Sequence, residues 1–119
     1  MRSSLERLRD ARDHAMHARD VARDLDGVAL EAAPETLRAV LFDLVIVGET
    51  LGRIPGDVRS LEPDVPWRAI CDMRNLLVHS YWQIDVAIVS EAVNRDLEPL
   101  VSSLERLMIK LEREEGSAS

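Results

Sequence analysis

The chain has 119 residues, room for one ordinary domain and no second core. Apolar residues make up 46%, charged residues 31% and aromatics only 3%, with five Gly and five Pro; this suits a soluble helical protein and excludes disorder and a turn-rich β-sandwich. A net charge of −7 excludes a general nucleic-acid coat but not a local basic site, because charges further apart than about 8 Å are screened at physiological salt.

Ser3 with Glu6 makes a capping box for a first helix. Leu5, Leu8, Ala11, Ala15, Ala18, Ala22 and Leu25 form its single apolar stripe, and the helix is expected to end near Gly27. A second helix starts at Pro34 and stops before Pro55. Its apolar residues, Leu37, Val40, Leu41, Leu44, Val45, Val47, Leu51 and Ile54, cover more than one stripe, which predicts a helix central in the domain and shared with a partner subunit. Residues 56–66, with Pro63 and Pro66, form a connector with one short helical turn. A third helix runs from Trp67 to about Ser80, and Asp85 caps a fourth with Val86, Ile88, Val89 and Val93 as its buried side. Pro99 is expected to restart or kink the chain over residues 96–99. A final helix over residues 100–114 buries Leu100, Leu104, Leu107, Met108 and Leu111, leaving residues 116–119 to fray. The expected fold is all-α, an antiparallel bundle of four to five helices in a single domain over residues 1–115.

Cys71 stands alone, so no internal disulfide forms. The N-terminus runs straight into charged helix, unlike a signal peptide, and the apolar run over 40–47 is far short of the roughly 20 residues a bilayer needs. A cytoplasmic protein is expected. The five glycines are dispersed, with no phosphate-cradling loop, nucleophile elbow or zinc pattern. His14 and His17 are three apart on the first helix, but a histidine pair without a third ligand reads as a solvated helix face; no metal and no bound cofactor are expected.

Chemistry-bearing residues gather between Cys71 and Asp85, at the end of the third helix. Arg74 offers planar donors for a phosphate, and His79 exchanges a proton near neutral pH. Tyr81 offers a hydroxyl, and Tyr81 or Trp82 a face on which a base could stack. This is a minimal kit for metal-free cleavage of a ribose phosphodiester, His79 taking the 2′-OH proton and Arg74 stabilising phosphoryl charge. Five residues along a helix place Arg74 and His79 about 140° and about 7.5 Å apart, so the set needs a cleft between two copies of the helix. On spacing alone, a surface ion pair with a capping histidine fits the same residues.

The run from Arg74 through Asn75, Leu76, Leu77 and Val78 to His79, then Ser80 and Tyr81, resembles the Arg-x4-His-x-Tyr signature of HEPN-domain toxins of the HepT type. Val47-Gly48-Glu49, Pro66-Trp67-Arg68, Ile84-Asp85 and Asp96-Leu97 flank it in the order found in that family, so the resemblance spans residues 5–111. Departures are Asp72, where relatives often have a small residue, and Phe42-Asp43, where many carry Arg-Asn. The resemblance implies a homodimeric HEPN-like ribonuclease, the toxin of a type VII-like toxin–antitoxin pair. Arg74 and His79 become the cleavage pair, with Asn75 as polar support. Tyr81 becomes the hydroxyl that an MNT-type nucleotidyltransferase antitoxin modifies with AMP, so that any ATP and magnesium belong to the partner's reaction. Glu49 is a candidate to orient Arg74. The rival reading is a catalytically silent helical subunit that binds and regulates that nucleotidyltransferase.

Overall fold

A computed structural model describes residues 2–118. Met1 and Ser119, the ends of the expected domain and tail, lie outside the described residues. Four helices of 13 residues or more carry the frame: α1 (Ser4–Val21), α3 (Pro34–Leu51), α5 (Trp67–His79) and α7 (Leu97–Ala118). Three short helices, α2 (Gly27–Glu31), α4 (Gly56–Arg59) and α6 (Val86–Glu91), lie among the connections.

The Ser3 hydroxyl accepts the Glu6 N–H at 3.1 Å and starts α1 as its capping box predicts. The α1 stripe then buries Leu8, Ala11, Ala15, Ala18 and Ala22 almost completely. Four alanines in that stripe let α1 lie close against both α3 and α7. The α1 helix ends at Val21, and Gly27 opens α2 rather than closing α1. The break has a physical cause in the tertiary fold. Asn94 accepts the Asp24 N–H at 2.9 Å and donates to the Leu25 carbonyl at 3.0 Å, holding Asp24 in the left-handed region (φ 64°), while Asp26 caps the Ala29 N–H at 2.8 Å.

Pro34 occupies the first turn of α3, which lies between α1 and α5 and so buries Val40, Leu44, Val47 and Leu51. The connector after α3 is pinned rather than loose. Glu62 is buried beneath Lys110 (2.6 Å) and Arg106 (3.3 Å) of α7, and the Trp67 indole donates to the Glu62 carbonyl at 3.2 Å. Asp85 caps α6 by accepting the Ala87 N–H at 2.9 Å. Val89 and Val93 are buried as expected, but Ile88 is 53% exposed because it falls one position round from that seam.

Pro99 does not restart the chain. Helical backbone runs on from α6 through a π-turn (Ala92–Asp96) into α7, which begins at Leu97. A proline lacks the N–H for the i−4 carbonyl and its ring clashes with it; the wider π-turn directly upstream accommodates this, and Pro99 sits in the first turn of α7. Leu100, Leu104, Leu107, Met108 and Leu111 then line the core. The α7 helix continues to Ala118, past Gly116, where fraying was expected.

Candidate functional site

The site is organised by the crossing of α5 on α3, and α3 is the long helix against which α5 packs. At the crossing α3 presents Gly48. A Cβ there would lie 2.2 Å from the Arg74 Cβ and 2.8 Å from its Cγ, so only glycine admits Arg74 at this depth. One turn on, Gly52 faces the Cys71 thiol, which is free and half-buried.

Seated there, the Arg74 guanidinium donates through Nη2 to Glu49 Oε1 on α3 and through Nη1 to Asn75 Oδ1 at 3.0 Å. Its Nε is buried and has no partner. The Arg74 side chain is 27% exposed and that of Glu49 37%, with Arg53 a second cation 3.9 Å from Glu49. The structure therefore gathers Arg74, Asn75 and Glu49 into one hydrogen-bonded group that opens on solvent.

His79 is the last residue of α5 and exposed, with no hydrogen-bond partner among the described residues. Beyond it, the 3₁₀ turn Tyr81–Gln83 carries Tyr81 and Trp82, 67% and 69% exposed and edge-to-face with each other at 5.5 Å. No hydrogen bond or ion pair joins His79 or Tyr81 to Arg74, Asn75 or Glu49. The separation follows from helix geometry, which sends side chains five apart to different azimuths. Asp72 is 69% exposed and 4.0 Å from Arg68.

His14 and His17 correct an expectation. They do not form a free solvated pair: His14 Nδ1 lies 2.8 Å from one Asp43 oxygen and His17 Nδ1 2.5 Å from the other. Asp43 is 4% exposed on α3, and a buried carboxylate needs donors; α1 supplies two imidazoles. Phe42 packs edge-on to His14 at 6.0 Å. The carboxylate bridges the rings, and no group of three or more His, Cys, Asp or Glu among the described residues is arranged to hold a metal ion.

In the sequence, Gly48 reads as part of the Val47-Gly48-Glu49 run, without its steric role, and Asp43 as a departure from a pattern. A usable signal existed for the first. Glycine inside a helix costs about 1 kcal/mol against alanine, so one within a buried stripe marks a close approach. Asp43 carried no such signal, because its partners lie 26 and 29 residues away.

The sequence profile of the ribonuclease HepT-like family matches residues 3–107. The chain is 37% identical over 73 residues, 61% of its length, to a Thermococcus cleftensis protein named "Probable ribonuclease HepT", and the match covers 66% of that protein. It is 29% identical over 77 residues to a Caldanaerobacter subterraneus protein named as a "putative RNase", covering 65% of this chain and 69% of the relative. It is also 25% identical over 79 residues to a Methanocaldococcus jannaschii protein named as a gamma-glutamylcyclotransferase and "putative RNase", covering 66% of this chain and 36% of that longer relative. No solved structure matches the chain. With the profile running from the first cap well into α7, and the glycine-seated arginine and helix-end histidine within its bounds, this chain belongs to the ribonuclease HepT-like family.

Proposed function

We propose that the chain is the ribonuclease toxin of a toxin–antitoxin pair and cleaves RNA without a metal, using Arg74 and His79 in a cleft between two copies. The observation that carries this is the contrast between the two residues. Arg74 is held at a fixed place by Gly48, Glu49 and Asn75, with its side chain still 27% exposed. His79, at the end of the same helix, is exposed and has no hydrogen-bond partner among the described residues.

In the reaction, His79 accepts the proton of a ribose 2′-OH as that oxygen attacks the adjacent phosphorus. The bond to the 5′-oxygen breaks, and the leaving alkoxide takes up a proton. The products are a 2′,3′-cyclic phosphate and a 5′-OH. Arg74 stabilises the charge that builds on the non-bridging oxygens. Asn75 and Glu49 act as positioning residues that keep the guanidinium aimed.

The homodimer is supported by the state of α5. Among the long helices it packs chiefly on α3, buries only Leu77 fully, and leaves Leu76 and Val78 over 40% exposed. An open groove of about 440 Å³ beside it is lined by Leu44, Val47, Ile70, Met73, Leu97 and Leu100. Tyr81 is the proposed site at which an MNT-type nucleotidyltransferase places AMP from ATP. Its ring is 67% exposed and two residues from His79, so the added phosphate and base would obstruct RNA both sterically and by charge.

The test is incubation of the unmodified protein with cellular RNA in excess EDTA, beside His79→Ala and Arg74→Ala. Wild type should yield 2′,3′-cyclic phosphate ends, and each variant should lose at least about a hundredfold in rate. Equal silence from all three, with an intact mass showing Tyr81 unmodified, would favour the subunit that only binds the nucleotidyltransferase.

A further inference from the structure

The chain has two tryptophans, and their surroundings differ. Trp67 has structural work. Its indole N–H is bonded to the Glu62 carbonyl, and Arg59 lies over its ring at 5.3 Å. Trp82 has none of this. It is 69% exposed, its indole has no hydrogen-bond partner among the described residues, and its one ring contact is the edge-to-face meeting with Tyr81. That contact takes up at most one face of the indole and leaves a broad π-surface in water.

The position of this surface matters. The 3₁₀ turn Tyr81–Gln83 closes directly after α5, with the Gln83 N–H donating to the Ser80 carbonyl at 2.9 Å and the Ile84 N–H to the Tyr81 carbonyl at 3.2 Å. The aromatic pair is thereby fixed within three residues of His79 rather than carried on a long loop. A flat apolar face beside a group that handles a phosphodiester suits the flat apolar face of a nucleobase. Every base offers one, so the contact is tolerant of sequence. Bases in a duplex are stacked on their neighbours and paired, which withholds that face.

We propose that Trp82 is a stacking platform for the unpaired base beside the scissile phosphate, and that it restricts this chain to single-stranded RNA. The inference rests on the ribonuclease reading above and adds a substrate class to it. Trp82 touches the base and not the reacting atoms, so it determines specificity and takes no part in proton transfer.

The experiment uses the full chain and a short fluorescent RNA, single-stranded or annealed to its complement. Wild type should cut the single strand and leave the duplex largely intact. Trp82→Ala should raise KM roughly tenfold or more, in line with the loss of one base stack, while kcat stays within about twofold. Trp82→Phe, which keeps a ring, should restore most of the loss. An unchanged KM in Trp82→Ala, or equal cutting of duplex and single strand, overturns the proposal.

A second readout does not depend on cleavage. A 2′-O-methyl version of the single strand, which lacks the attacking hydroxyl, should quench tryptophan fluorescence in wild type and in His79→Ala, but not in Trp82→Phe, where only Trp67 remains. Quenching by this RNA without cleavage of the ordinary strand would uphold the platform and refute the ribonuclease. An absence of quenching in wild type refutes the platform. So does a Trp82→Ala protein that changes oligomeric state but not RNA binding, since it would assign the ring to a protein contact.

Discussion

Gly48 sits where a side chain has no room, and the residue that needs the space is Arg74. Gly48→Ala would set two carbons 2.2 Å apart, so α5 must move off α3 or Arg74 must leave its seat. Overpacking of this kind costs about 1–3 kcal/mol. We expect Gly48→Ala to fold with a lowered urea midpoint and to lose at least about tenfold in RNA cleavage, because small displacements of a charge-stabilising group are costly in rate. Full activity in Gly48→Ala would show that the seat is not needed. The sequence places Arg74, Asn75 and His79 by their order in one helix, and that much is legible without a structure. The contact of Glu49 with Arg74, across 25 residues, becomes definite only when two helices cross.

At the scale of elements, the connector between α4 and α5 is held by one carboxylate. The hydrogen bond from Lys110 holds the Glu62 carboxyl below its usual range, against the opposing effect of burial, and Arg106 adds to it. A folded-state value below the unfolded one means that the unfolded chain binds the proton more tightly. The stabilisation is therefore complete above the unfolded carboxylate value and is lost as pH falls through the folded one. Glu62→Gln should lower unfolding free energy at pH 7 by about 2 kcal/mol, the size of a charge-assisted hydrogen bond. The difference from wild type should shrink in acid, below the ordinary carboxylate range; a difference constant from pH 7 to pH 3 in chemical denaturation would contradict this. Proline spacing marks the connector, but nothing local announces that Glu62 is buried, since its cations lie 44 and 48 residues downstream. Pro99 teaches the converse. Its local rule is sound, yet the preceding π-turn absorbs the strain and the helix continues.

For the whole molecule, the weakly covered α5 is the feature that reaches beyond one chain. Leu76 and Val78 are 43% and 41% exposed on the helix that carries Arg74 and His79. If the side of α5 that bears Leu76 pairs two copies, Leu76→Glu should convert a dimer into a monomer in sedimentation velocity, with helical content retained and RNA cleavage lost together with the dimer. A Leu76→Glu dimer of wild-type mass would move the interface elsewhere. The same scale bears on charge. A net −7 is compatible with RNA cleavage when the contact is confined to one arginine-bearing cleft, because the rest of the surface is screened beyond about 8 Å. Among the described residues no helix is long and apolar enough to cross a membrane.

By itself the sequence determined the helical class, the α1 cap and stripe, the core face of α7 and the order of Arg74, Asn75, His79 and Tyr81, because each depends on spacing within one segment. The tertiary structure decided where α1 ends, what Asp43 does with His14 and His17, why Gly48 is glycine and what pins Glu62. These depend on buried polar groups finding partners many residues away. Periodicity reports which side of a helix is apolar; it carries no information about which helix will lie against it.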